Sequence, residues 1–169
     1  MGVTYKKFLS LDIDSSLISL EKAGAGYSDY FCYPTNAKAI GFEGCIMYCF
    51  IDGYGETVFA CNPESCADKY VYPLARNFED FISLILACGS ANPVEQIIWM
   101  DKQQFERHLQ DEKEIQTTEQ KELLSFLEKE LHIAAMEHPF EYVKEVQSEC
   151  DYSKVQFGDE YYDILGIER

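Results

Sequence analysis

The sequence predicts an α+β fold, with a central, mostly antiparallel sheet in the N-terminal half packed by helices from the C-terminal half. Two apolar runs joined by a short glycine turn, Cys45 to Cys61, read as a hairpin. Capped helices with apolar stripes begin only at Asn77. Strands first and helices afterwards is the order of an α+β chain, not of repeating βαβ units. A chain of 169 residues fits one domain, here with a helical extension from about residue 92. Its 47% hydrophobic and 14% aromatic content excludes a disordered chain.

Taken in order, Tyr27 to Tyr33 reads as a flanking strand that ends at Pro34. Cys45 to Asp52 is the first hairpin strand, Gly53-Tyr54 the tip and Gly55 to Cys61 the return. With Asp52 opposite Gly55, Cys45, Met47, Cys49 and Ile51 share a face with Val58 and Ala60. Ile46, Tyr48 and Phe50 then share the other with Thr57, Phe59 and Cys61. Both faces are apolar, so the hairpin belongs mid-sheet with cover on both sides. Tyr70 to Leu74 is a second flanking strand, and Pro73 suggests an edge or a strand end.

Asn77 caps the first main helix, with Asp80 at the capping-box position and Gly89 as its stop. Asn92-Pro93 starts the next, with Val94, Ile98, Phe105 and Leu109 at helical spacing. Asp111 to Glu114 reads as a charged connector. Thr118 to Leu131 is a third helix with Leu123, Leu124, Leu127 and Leu131 as its stripe. Phe140, Tyr142, Val143 and Val146 suit a short helix, and Asp159 to Leu165 a further turn.

The net charge of −16 is uneven. Residues 91–169 hold 19 acidic against 8 basic groups, and residues 1–90 hold 11 against 6. Such a field repels nucleic acid and anionic membranes and steers basic proteins inward. An acidic surface also keeps a protein in solution. Seven cysteines without a close-set framework point to reduced thiols and a cytoplasmic setting. No signal-peptide core, myristoylation signal or run of about 18 apolar residues is present.

Reactive constellations are missing too. Cys45 and Cys49, read as strand neighbours, lie about 13 Å apart and cannot share a zinc ion. Cys61 and Cys66 flank a turn without a second matching pair. His108 and His132 sit near helix C-termini, where a cation suits the dipole, and His138 lies in the same helical part. Gly24-Ala25-Gly26 is not followed by a phosphate-loop Lys-Ser/Thr or by the rest of a dinucleotide fingerprint. No Gly-x-Ser-x-Gly elbow occurs, and nothing selects one carboxylate pair among so many. The expectation is therefore a protein without catalytic residues, metal or cofactor.

Tyr54 stands at the hairpin tip between two glycines, flanked by Asp52 and Glu56. Aromatic anchors ringed by carboxylates suit a partner rich in Arg and Lys. Asp52, Tyr54, Glu56, Glu64 and Asp68 are the candidate protein-binding residues, chosen for expected exposure and charge. Tyr161-Tyr162-Asp163 repeats the pattern near the C-terminus, where a tail docked on the core is the plainer reading.

Residues 39–89 resemble the SUKH superfamily of glucan-synthesis (cell-wall assembly) regulators and bacterial immunity proteins. Ile40-Gly41-Phe42-Glu43-Gly44 is similar to the turn before that family's central hairpin, and Cys45 to Ala60 to its two central strands. Ala75-Arg76-Asn77-Phe78-Glu79-Asp80-Phe81 looks like its Phe-Glu-x-Phe helix start. The resemblance implies a sheet-and-helix fold and a protein that binds and neutralises a toxin, often a nuclease. It carries no defined site residues. The expected partner is a basic protein. A regulatory or scaffolding domain without a toxin partner is the alternative, and an uncharacterised hydrolase a further one.

Overall fold

The computed structural model describes residues 2–22 and 29–169. Helix α1 (Val3–Ser10) turns Tyr5 and Phe8 inward. A 3-10 turn over Ser15–Ile18 follows, with the Asp14 carboxylate accepting the Ser16 N–H. Ile18 and Leu20 are buried, and Glu21 exchanges two 2.8 Å backbone hydrogen bonds with Phe42. This contact needs Gly41, because a Cβ there would sit 3.0 Å from the Leu20 Cα.

The sheet is a four-stranded antiparallel meander in the order β1 (Ala37–Glu43), β2 (Ile46–Ile51), β3 (Val58–Cys61), β4 (Val71–Ala75). The hairpin is central, as its two apolar faces require. Its register differs by one residue from the sequence reading: Phe50 faces Val58 and Met47 faces Cys61. Gly53 (φ 98°) and Gly55 (φ 62°) are both left-handed, which lengthens the loop and delays the return strand from Gly55 to Val58. Tyr48, Phe50, Val58, Ala60, Tyr72 and Leu74 therefore line one face, and Met47, Cys49, Ile51, Phe59 and Cys61 the other.

Two further expectations change. Ile40 to Glu43 is not a turn but the end of an outer strand, and the turn is Gly44-Cys45. Asp29 to Tyr33 is a turn, closed by Tyr33 N–H on the Tyr30 carbonyl, while Tyr27 and Ser28 of that expected strand lie outside the described residues. Thr35 next bonds Gln156 and not a strand, so this backbone is satisfied by the tail. The Gly24-Ala25-Gly26 stretch is likewise outside the described residues. The last strand starts one residue later than expected, at Val71, and is an edge.

Helix α2 (Phe78–Cys88) lays Phe78, Phe81, Ile82, Leu84, Ile85 and Cys88 into the core. Asn77 accepts the Asp80 N–H at 2.7 Å, and Gly89 (φ 90°) ends the helix. The Asp80 carboxylate does not close a capping box. It accepts the Tyr142 hydroxyl at 2.5 Å and so ties α2 to the later α6. Helix α3 (Ala91–Gln96) begins after Ser90, two residues before the expected Asn92 cap, and runs into a 3-10 turn over Ile97–Trp99. The expected single stripe from Val94 to Leu109 is thus broken. Asp101 and Gln104 form a reciprocal capping box that starts α4 (Lys102–Ile115) afresh.

Asp111 to Glu114 belongs to α4 and is no connector, since nothing there breaks a helix. For the same reason His108 lies mid-helix, half-buried, and away from any C-terminus. Helix α5 (Thr118–Leu131) has the expected bounds and stripe, with Thr117 as cap. Helices α6 (Pro139–Glu149) and α7 (Asp159–Leu165) follow.

The core has two parts. Leu127, Leu131, Phe105, Val94 and Val143 from beyond residue 92 join the α1, α2 and sheet side chains in one cluster. The opposite sheet face is covered by Tyr33, Tyr54, Cys150, Val155 and Phe157. That strap is pinned by Gln156 N–H on Asn36 at 3.1 Å and by Asn36 on the Lys154 carbonyl at 3.0 Å. Among the described residues no single helix is long and apolar enough to cross a membrane, and the apolar pair Phe78–Cys88 and Ala91–Trp99 is bent by 102°.

Candidate functional site

The most unusual chemistry lies where the end of β1 meets α3. Glu43 closes β1 beside the left-handed Gly44, and α3 presents Asn92, Glu95 and Gln96 on successive turns. Glu95 is only 3% exposed. Its Oε1 accepts the Tyr72 hydroxyl and, at 3.0 Å, the Asn62 amide. Glu43 Oε1 accepts the Asn92 amide, and Gln96 in turn donates to Asn92 at 2.7 Å. The Ser19 hydroxyl also reaches Glu43.

Among the described residues neither carboxylate forms an ion pair. The charges that act on them are carboxylates: Glu112 and Glu95's neighbour Glu43. Burial, the larger cause, pushes both carboxyls above their ordinary range, and the amide and hydroxyl donors only partly offset it. Tyr48 is fully buried, and burial followed by Glu43, Glu95 and Tyr72 raises its phenol strongly. Among the described residues its hydroxyl and Glu43 Oε2 are buried polar atoms without a hydrogen-bond partner, as is His108 Nε2 in α4.

Above this cluster runs a groove whose wall includes Glu43, Asn62, Glu95, Gln96 and the half-exposed Trp99, with Glu64 on its rim. Cys45 in the same wall has its thiol pushed up, first by burial and then by Glu64, which is opposite to what a nucleophile needs. The arrangement can accept hydrogen bonds and hold positive charge. Among the described residues there is no group of three or more His, Cys, Asp or Glu able to hold a metal ion.

The five residues expected to bind protein are spread out. Asp52 is exposed on the hairpin loop. Tyr54 is half-buried: its hydroxyl donates to the Asp151 carbonyl at 2.7 Å and accepts the Lys154 N–H at 3.0 Å, while its ring meets Phe59 edge-on at 5.0 Å. Glu56 is half-buried and accepts the Gly2 N–H at 2.7 Å. Glu64 reaches the groove rim. Asp68 lines a separate crevice with Lys69 and Tyr152. Tyr161 stacks on Phe157 at 3.7 Å, as a docked tail requires.

Sequence reasoning missed Glu43, Glu95, Asn62, Asn92 and Tyr72. One signal was available: Glu95 is the lone charge in the apolar run Pro93 to Trp99. Comparison with family models, curated proteins and solved structures finds no match for this chain.

Proposed function

We propose that this protein is a non-catalytic binding module that captures a basic protein through its acidic surface. Its resemblance to SUKH immunity proteins makes a basic toxin, such as a nuclease, the natural partner class. Its unpaired cysteines suit the reducing cytoplasm. One observation carries the reading. Glu106, Asp111, Glu114, Glu119, Glu122 and Glu128 stand exposed on α4 and α5, and none forms an ion pair among the described residues. The ion pairs involve other acids: Arg76 meets Glu145 and Glu149, Lys102 meets Glu141, and Arg169 meets Asp159 and Asp163, while α4 and α5 together carry eight acidic against five basic groups. A net negative field raises the encounter rate with a positive partner, and buried contacts then set residence time.

The test is capture of basic proteins from the native cell by the immobilised protein at rising salt. The Debye length shrinks from about 10 Å at 0.1 M to about 3 Å at 1 M. Capture is expected to weaken steeply between about 50 and 500 mM salt. Association that is indifferent to salt overturns the proposal.

A further inference from the structure

We propose that the pocket where the hairpin loop, β4, α6 and the strap converge binds a free apolar α-amino acid. No residue of the acid-rich helices α4 and α5 lines it, so it stands whether or not they capture a partner. The cavity measures about 290 Å³, the size for a small metabolite. Its base is apolar: the buried Phe59, Pro73 and Val146, with the Tyr54 ring beside them. Four charged side chains complete the wall: Arg76, Glu149, Asp151 and Lys154. Two cations face two carboxylates, so this lining is neutral in a chain of net charge −16.

Each charged group is positioned by the fold with bonding capacity left over. The Arg76 guanidinium lies 5.1 Å from the Tyr142 ring centre and uses only Nη2, on Glu149 at 3.1 Å and Glu145 at 3.6 Å. Its Nε and Nη1 donors make no hydrogen bond among the described residues. Lys154 Nζ donates to the Gly53 carbonyl at 3.1 Å, one of an ammonium's three donors. Glu149 is engaged through Oε2 alone, and Asp151 by Ser153. A zwitterion matches this set. Its carboxylate meets Arg76 and Lys154, its ammonium meets Glu149 and Asp151, and its side chain covers the apolar base. An anion would face the two carboxylates, a cation the two basic groups, and a neutral apolar molecule would leave all four to water. A ligand touching all four segments also holds the strap against the sheet, by an amount that grows with its concentration over Kd.

The test titrates the isotope-labelled full chain at constant ionic strength and follows its backbone amide resonances. The probes are L-leucine, leucine amide, which lacks the carboxylate, N-acetyl-leucine, which lacks the ammonium, and glycine, which lacks the side chain. Leucine is expected to shift the amides of Tyr54, Arg76 and Lys154 saturably, with a Kd on the order of a millimolar. Each of the other three is expected to bind about tenfold or more weakly. Arg76→Gln is expected to weaken leucine about tenfold and to leave leucine amide unchanged. Because Arg76 also braces α6, the exposed Lys154→Gln is the second variant, with about a threefold loss for leucine alone. A distorted pocket would weaken leucine and its amide alike, so their ratio isolates the carboxylate contact. No saturable response to leucine, equal binding of the amide or the acetyl form, or a leucine-to-amide ratio unchanged in both variants overturns the site.

Discussion

A carboxylate removed from water is costly unless donors or a cation replace the solvent. Glu95 has a phenol and an amide, Glu43 an amide and a hydroxyl, and the net effect of burial still raises both. The folded chain therefore holds protons more tightly than the unfolded one. Their contribution is most favourable below the ordinary glutamate value of 4.5 and is lost as pH rises through the folded values. Glu43→Gln is expected to match or exceed the parent melting temperature at pH 7. The difference should close as pH falls toward 4.5. A variant less stable than the parent at pH 7, with a gap that widens with pH, would refute this account. Self-repulsion of the −16 charge acts on parent and variant almost equally, so the difference isolates the residue.

Each element owes its place to something local or something distant, and the two are separable. Helix α5 is legible because its cap Thr117, its leucine stripe and its solvated face all agree over 14 residues. The hairpin's position mid-sheet is legible from its two apolar faces. Its register is not, because Gly53 and Gly55 admit more than one loop length and a one-residue change exchanges the faces. The break between α3 and α4 is not legible because apolar spacing continues across it, whereas the Asp101 box starts a new helix. Strand β1 escaped for another reason: its alternation is weak and its backbone contact with Glu21 is distant in sequence. That contact gives a test at this scale. Gly41→Ala forces a methyl against the Leu20 backbone and is expected to cost about 1–3 kcal/mol in denaturant unfolding. A loss below about 0.5 kcal/mol would mean the approach is not tight.

Across the whole molecule, one sheet separates a helix-covered core from a smaller one closed by the segment after α6. The larger core holds α1 to α6; the smaller depends on Cys150, Val155, Phe157 and the Tyr54 hydroxyl bridge to Asp151 and Lys154. A chain ending at Glu149 uncovers Phe42, Met47, Cys49, Ile51 and Phe59. It is expected to melt lower and to bind an apolar dye such as ANS more strongly, with the helical signal of α2 to α6 retained. Unchanged melting and dye binding would show that the strap contributes no cover. The same geometry makes Tyr54 a clasp on the returning chain: the surroundings of a loop tyrosine depend on what segment packs back against it.

The sequence by itself determined the class, helices α2 and α5, the central hairpin and the sign of the surface field. These follow from periodicity, caps and charge, which are local or additive quantities. Only the tertiary structure decided the register, strand β1, the strap and the pairing of Glu43 with Asn92 and of Glu95 with Asn62 and Tyr72. Those depend on which distant groups meet once water is expelled, and burial, not residue type, sets the chemistry of a carboxyl.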